Sequence, residues 1–286
     1  MKRHLALFID LLVAAMAVII FAGYIRNTKM IFGSMTKGEL NLVIVATLLI
    51  HMVRAFRLYF ALYGSEITRA YHLKLYCKVT PISILLPYKI GELYRMYCYG
   101  LSIKNSVKGI LIILLDRFFD TMALLLIVFV EYVIGEAAIT SLVIVLIALT
   151  ILLIFAYFSF PSLSTFWKKY LLSANASKHK MLLIKFLSSL NNLYYEIRNV
   201  IKGRGIILLG LSIVAWGIEV SCLPLSKSSF QKENIGEKIN GYLLASIDGN
   251  YNLALNQFRY VSITVLVVGF IIFSIMTKNN SDGVGE

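Results

Sequence analysis

Apolar stretches long enough to cross a bilayer recur along the chain and are separated by polar connections. A spanning helix needs about 20 mostly apolar residues, so each stretch predicts one crossing. The predicted spans cover residues 5–24, 40–63, 108–134, 139–158, 205–225 and 258–276. The pattern therefore predicts an all-α, polytopic integral membrane protein with about six spanning helices.

Residues 80–120 interrupt this pattern with helix-breaking residues near their start. Pro81 and Pro87 each lack an N–H group and crowd the preceding turn, so a continuous helix is disfavoured there. We expect a broken or re-entrant element that turns between Pro87 and Gly91, then a short helix from Glu92. Such backbone is tolerated at membrane depth only where protein buries it or a wet cavity borders it. The functional site is therefore predicted in this stretch.

Ionisable side chains gather in the same stretch, and charges inside a span are functional candidates by default. They are Lys89, Glu92, Arg95, Asp116, Arg117 and Asp120. A helix places Asp116 and Asp120 on one face, with Arg117 within reach of Asp120. Two purely structural alternatives stay open: the ion pairs Glu92–Arg95 and Arg117–Asp120 could serve only to fix helix packing.

The second predicted span carries Arg54 and Arg57 three residues apart, hence on one face of a helix. We expect Arg54, the deeper of the two, to face the protein interior. For Arg57, snorkelling towards the lipid headgroups is an equally good alternative.

The charge balance is strongly basic, with 28 Lys and Arg against 15 Asp and Glu and a formal net charge of +13. Because 59% of the residues are hydrophobic, we attribute this excess to cytoplasmic loops and anionic lipid headgroups rather than to nucleic acid. Residues 64–108 and 160–204 carry most of it, and the second region also has the spacing of an amphipathic helix. The distribution predicts a multi-pass cell-membrane protein with both termini in the cytoplasm.

Three cysteines and four histidines are scattered without any metal-ligand spacing. We therefore read the cysteines as free thiols and predict neither a metal site nor a cofactor.

A short motif occurs twice. Ile90-Gly91-Glu92 is followed by Arg117, and Ile235-Gly236-Glu237 is followed at a similar distance by Arg259. In the predicted topology one copy approaches from the cytoplasm and the other from outside, which is an inverted repeat. Paired broken segments of this kind point to the substrate site of a transporter.

The segment PYKIGELYR at residues 87–95, followed by DRFFD at 116–120, resembles the lysylphosphatidylglycerol synthase transmembrane-region family. The family pattern is a Pro-x-x-x-Gly-Glu-x-x-Arg turn, an acidic-Arg-x-x-Asp helix, and a later Gly-x-x-Glu element before a helix with Ala and Arg. Ala254 and Arg259 fit the later helix, and Trp216 fits a tryptophan often found before it. The chain departs from the pattern at Asp116, where Glu is usual, and in the missing Pro-Gly-Gly-like run of the later element.

The resemblance implies one flippase-like transmembrane domain over residues 1–278, with repeat elements near 80–120 and 230–262 and a disordered tail at 279–286. It implies a protein that binds and translocates an anionic phospholipid or a polyprenyl-phosphate-linked lipid between leaflets. We do not expect an enzyme, since the soluble aminoacyltransferase domain of the synthases is not present in this sequence.

Two alternatives stay open: a membrane transferase acting on a lipid phosphate, and an accessory protein that docks a partner through its basic face. The expected partner is a membrane lipid. The sequence does not decide between a homo-oligomer and a separate partner enzyme.

In this reading, the glutamates orient basic groups, which in turn meet the lipid phosphate. Arg95 or Lys89 would supply positive charge on the cytoplasmic side and Arg259 on the outer side. The complete set of predicted substrate-binding residues is Lys89, Gly91, Glu92, Arg95, Asp116, Arg117, Asp120, Glu237 and Arg259.

Overall fold

The described part of the protein is entirely helical. A computed structural model describes residues 2–26, 32–33, 35–65, 67–86, 90–134, 140–173, 178–223, 235–248 and 252–282. Over these ranges there are ten α-helices and no strand. They are α1 (Lys2–Arg26), α2 (Lys37–Ala61), α3 (Arg69–Leu85), α4 (Ile90–Ser102), α5 (Ser106–Ile134), α6 (Ser141–Ser173), α7 (Lys178–Ile201), α8 (Gly205–Ser221), α9 (Ile235–Asp248) and α10 (Leu253–Asp282). The all-α prediction is confirmed.

Three of the described helices are long and apolar enough to cross a bilayer: α2, α6 and α10. A fourth crossing is obtained if α7 and α8, which meet at a bend of 66°, form one broken span. The expected count of six spans is therefore not confirmed, and neither is the inverted repeat. The predicted third span, α5, carries three charged residues within one turn and a half, at Asp116, Arg117 and Asp120, so composition alone does not mark it as a crossing.

The predicted break between two helices lies where prolines and a glycine suggested it. Helix α3 ends at Leu85 and α4 begins at Ile90, two residues before the expected start. Residues 87–89 of the turn lie outside the described part of the chain. Pro81, which we expected in the broken element, instead lies inside α3 and is buried.

Helix α4 packs closely against α3 and against α5 because glycines let the backbones touch. A Cβ on Gly91 would overlap the Cα of Ser83 and lie 2.7 Å from the carbonyl oxygen of Ile82. Where α4 meets α5, a Cβ on Gly109 would overlap the backbone of Gly100. A larger residue at either position would push the helices apart, so the broken element is held against the third predicted span.

Helix α2 lies at the centre of the packing and begins at a capping box. The Thr36 hydroxyl accepts a hydrogen bond from the Glu39 amide, and the Glu39 carboxylate accepts one from the Thr36 amide at 2.7 Å. From there α2 packs against α8, α10, α5 and α3. Its position brings the arginines of its C-terminal half into contact with α5 and α8.

A short helix, α9, replaces part of the polar loop expected at residues 226–257. Its Tyr242 and Leu243 are fully buried and join an apolar cluster with Trp216 and Phe258. The burial of these apolar side chains, on a segment with many polar neighbours, holds the helix in place. Residues 224–234 lie outside the described chain.

The periphery consists of α6 and α7. In the most apolar 18-residue stretch of α6 only 6% is buried, as expected for a helix that faces lipid. It runs through Pro161 well beyond the expected end at Phe158 and contacts α7 where Phe160 stacks on Tyr194 at 5.1 Å. Helix α7 confirms the helix predicted from the spacing of residues 183–201. At the other end of the chain, α10 continues to Asp282, into the tail predicted to be disordered.

Candidate functional site

Arg57 of α2 lies at the centre of a buried cluster of charges, with a side chain only 2% exposed. Its Nε donates to Asp116 Oδ1 at 2.8 Å, and its Nη1 donates to Asp120 Oδ1 at 2.7 Å. The same Nη1 lies 2.5 Å from the Ser212 hydroxyl of α8. One turn of α5 separates the two aspartates, so both carboxylates reach the same guanidinium. Arg57 thus joins α2, α5 and α8, and the snorkelling alternative is wrong for it.

Arg95 of α4 contributes a second guanidinium to the same cluster. Its Nη2 donates to Asp116 Oδ2 at 3.3 Å, so Asp116 binds one arginine through each carboxylate oxygen. The Arg95 guanidinium also lies 5.8 Å from the ring centroid of Tyr76 on α3. With a side chain 3% exposed, Arg95 is part of the buried support rather than an accessible binding group.

Arg117 points to a different face of α5 from its neighbour Asp116. Its Nη2 lies 2.6 Å from Glu92 Oε1, and its Nη1 lies 3.8 Å from Asp120 Oδ2. Glu92 is also 3.9 Å from Arg95, the pairing considered from sequence spacing. The shortest of these three ion pairs, between Arg117 and Glu92, therefore joins α5 to α4. At 41% exposure, the Arg117 side chain is the accessible member of this group.

A second ion pair joins α2 to α8. Arg54 Nη2 donates to Glu219 Oε2 at 2.9 Å, and the Tyr242 hydroxyl of α9 donates to Glu219 Oε1 at 2.5 Å. The Arg54 guanidinium lies 5.6 Å from the ring centroid of Trp216. Both oxygens of Glu219 are occupied, so this carboxylate fixes the position of Arg54, as predicted for a residue that faces the interior.

These two groups border one cavity of about 650 Å³ between α2, α4, α5, α8 and α10, with the end of α3. We call it the arginine cavity. Its charged lining residues are Arg54, Glu92, Arg117, Asp120, Glu219 and Arg259. The rest of the wall includes His51 and Trp216 together with apolar side chains such as Phe258. A polar chamber therefore lies inside a predominantly apolar helical protein.

Several buried polar atoms of this wall have no hydrogen-bond partner. They include the donors Arg54 Nε, Arg117 Nε and Trp216 Nε1, and also His51 Nε2 and Glu92 Oε2. A buried polar group left unsatisfied costs about 1–3 kcal/mol, so few are expected in a native protein. Five of these atoms belong to residues that line the chamber, which marks it as the candidate polar binding site of the described chain.

The predicted site residues separate into three groups. Glu92, Arg117, Asp120 and Arg259 line the arginine cavity, and Arg259 belongs to the second copy of the repeated motif. Asp116 lies behind the wall and anchors Arg57, Arg95 binds the other oxygen of Asp116, and Gly91 serves the contact between α3 and α4. Lys89 and the side chain of Glu237 lie outside the described part of the chain. The substrate-binding roles themselves stay predictions.

Sequence reasoning missed part of the wall. His51, Trp216 and Glu219 line the cavity, yet none was among the predicted site residues. A signal was available, because a lone glutamate in the apolar α8 needs a basic partner, and the arginines of α2 were the deepest candidates.

Comparison with known proteins places the chain in a family. The family model described as lysylphosphatidylglycerol synthase TM region matches residues 6–246. No curated protein and no solved structure matches the chain. The match spans most of the sequence and includes Glu92, Arg117 and Asp120 of the arginine cavity. The chain therefore belongs to the lysylphosphatidylglycerol synthase transmembrane-region family, and it is a multi-pass membrane protein of the flippase-like kind.

Proposed function

We propose that the protein binds an anionic phospholipid or a polyprenyl-phosphate-linked lipid through its phosphate in the arginine cavity and moves it between leaflets. One observation carries the proposal: three arginines, Arg54, Arg117 and Arg259, line a single chamber in a membrane protein, beside Trp216.

Phosphate suits these donors because its oxygens accept several hydrogen bonds at once and its charge pairs with guanidinium. The carboxylates would hold the arginines in position rather than meet the phosphate. Glu219 takes Nη2 of Arg54, and Glu92 takes Nη2 of Arg117, which holds both guanidinium groups at the chamber wall. A negatively charged headgroup would also offset the cationic surplus of the cluster, in which five arginines face four carboxylates: Arg54, Arg57, Arg95, Arg117 and Arg259 against Glu92, Asp116, Asp120 and Glu219.

Translocation would follow from the way in which the two motif copies share the chamber. Glu92 and Arg117 come from the first copy, and Arg259 comes from the helix that follows the second. Their convergence supports an inverted repeat whose halves rock about a common headgroup site. The six spans would then be α1, α2, α5, α6, α8 and α10, with α3 and α4 as a re-entrant pair and α7 as the amphipathic helix of the basic 160–204 connection. We place the protein in the cell membrane with both termini in the cytoplasm, because the basic connections lie on one side of this arrangement.

A transporting role fits the cluster better than catalysis by the aspartates. Asp116 binds Arg57 and Arg95 through its two oxygens, and Asp120 binds Arg57 at 2.7 Å, so both carboxylates are already paired with guanidinium groups. A metal-assisted transferase needs such carboxylates available for the metal ion.

The test is translocation of fluorescent phosphatidylglycerol and of a fluorescent polyprenyl phosphate in vesicles that contain the purified protein. Arg117→Gln and Arg54→Gln each remove charge-assisted hydrogen bonds of about 1.5–3 kcal/mol, so each is expected to slow transport roughly ten- to a hundredfold. Arg117 is partly exposed, and its replacement should leave the folded yield close to normal.

The matched control is Lys185→Gln on the exposed side of α7, which removes a positive charge away from the cavity and should leave transport unchanged. Vesicles with wild-type protein that move neither lipid faster than empty vesicles would refute the proposal. Equal rates for wild type and both arginine variants would remove the arginine cavity from it.

A further inference from the structure

An apolar groove runs along the seam between α2 and α10, next to the arginine cavity. It consists of two adjoining sections of about 500 and 560 Å³. The sections share Leu48, Val265 and Gly269 and therefore adjoin, and residues of α3 complete the wall of the second section; we call the two together the α2–α10 groove. Its walls are almost entirely hydrocarbon, in contrast to the chamber beside it.

The length of the groove matches the thickness of a bilayer. Along α2 it extends from Leu40 in one section to Tyr59 in the other. At 1.5 Å per residue this distance is about 28 Å, close to the hydrocarbon thickness of about 30 Å. The groove therefore offers an apolar path from one leaflet region to the other.

The groove and the arginine cavity meet at one side chain. His51 lines both of them, about halfway between Leu40 and Tyr59 on α2. Its Nδ1 lies 3.1 Å from the Tyr76 hydroxyl, while its buried Nε2 has no partner. Another apolar groove, between α1, α3 and α10 around Phe21 and Phe270, has no lining residue in common with the arginine cavity. The shared residue His51 thus selects the α2–α10 groove.

We infer that the α2–α10 groove holds a hydrocarbon chain of the lipid whose phosphate occupies the arginine cavity, with His51 at the junction between headgroup and tail. The inference rests on the proposed function and adds the path of the tail. A lipid whose headgroup enters a polar chamber must keep its chains in an apolar environment, and the groove provides one that borders the chamber at His51. The tail would then slide along α2 while the headgroup crosses.

Two neighbouring positions on α2 allow a matched test. Leu48 lines both sections of the groove and is 44% exposed, whereas Leu49 is 46% exposed and does not line it. Leu48→Trp should fill the groove and slow lipid transport by about tenfold, because added volume in a packed site obstructs its occupant. Leu49→Trp adds the same indole to the lipid-facing surface and should leave the rate unchanged.

Photocrosslinking decides the inference independently of transport. A benzophenone amino acid would replace Leu48 or Leu49 in full-length protein, reconstituted in phosphatidylcholine vesicles that contain phosphatidylglycerol. Position 48 is expected to capture phosphatidylglycerol well above its share of the membrane, and position 49 in proportion to that share. Equal capture at both positions would mean surface lipid only and would overturn the inference.

The outcomes separate the two proposals. If Arg117→Gln slows transport while Leu48→Trp and Leu49→Trp behave alike, the tail path is wrong and the function stands. If no lipid is transported but position 48 still enriches phosphatidylglycerol, the groove is a lipid site and the translocation proposal fails.

Discussion

Replacing Arg57 by methionine is expected to be the most damaging single change to the charge cluster. The side chain is 2% exposed, and it binds Asp116 and Asp120 at 2.7–2.8 Å and contacts Ser212 of α8. Methionine keeps most of the volume and removes the charge, so two buried carboxylates lose their nearest cation. Breaking a buried pair in this way costs about 3–5 kcal/mol. Because Arg95 and Arg117 remain as more distant partners at 3.3 and 3.8 Å, we expect the lower end of that range, about 3 kcal/mol.

The protein carries its own reporter for this measurement. Cys77, Cys98 and Cys222 are all buried, so a thiol-reactive dye labels them only as the detergent-solubilised protein unfolds. A loss of 3 kcal/mol should lower Tm by roughly 6–12 °C, using about 2–4 °C per kcal/mol. Arg69→Met removes an exposed arginine from the start of α3 and should leave Tm unchanged.

A rescue variant tests the physical reason for the loss. Adding Asp116→Asn and Asp120→Asn to Arg57→Met removes the stranded negative charges, so it should recover part of the lost Tm even though three ionic groups are gone. A Tm for Arg57→Met equal to that of Arg69→Met would refute the account of Arg57 as the centre of the cluster. A triple variant less stable than the single one would show that packing, and not uncompensated charge, causes the loss.

Three further predictions concern packing, the second ion pair and topology. Gly91→Ala should sharply reduce the folded yield on fluorescence-detected gel filtration because its Cβ overlaps the backbone of α3, whereas Gly210→Ala has open space and should behave as wild type. Glu219→Gln should slow transport by about tenfold with little change in folded yield, because Arg54 loses a charged partner but keeps a hydrogen-bonding one; an unchanged rate would remove this pair from the site. A cysteine introduced at Ser173 should resist an impermeant thiol reagent applied to intact cells, and ready labelling would contradict cytoplasmic placement of the 160–204 connection.

The local sequence determined the elements and the family of this protein. Apolar length and spacing predicted α2, α5, α7, α8 and α10, because helix formation and burial in a bilayer depend on residues close together in the chain. Gly91 and the prolines before it predicted the break between α3 and α4. The Gly-Glu-x-x-Arg and Asp-Arg-x-x-Asp motifs identified the family, and the residues of these motifs fall at the charge cluster.

Only the tertiary structure decided which charges pair and which face the cavity. Arg57 finds Asp116 and Asp120 across about 60 residues of chain, and Arg54 finds Glu219 across 165. Sequence spacing favoured pairs within one helix, yet the shorter contacts run between helices, and the one between Arg117 and Glu92 depends on Gly109, which lets α5 lie close against α4. The same packing hides Arg95, exposes Arg117 and brings Arg259 to their chamber. A cavity is the space left between packed helices, so its lining depends on their mutual arrangement, which no single stretch of sequence contains.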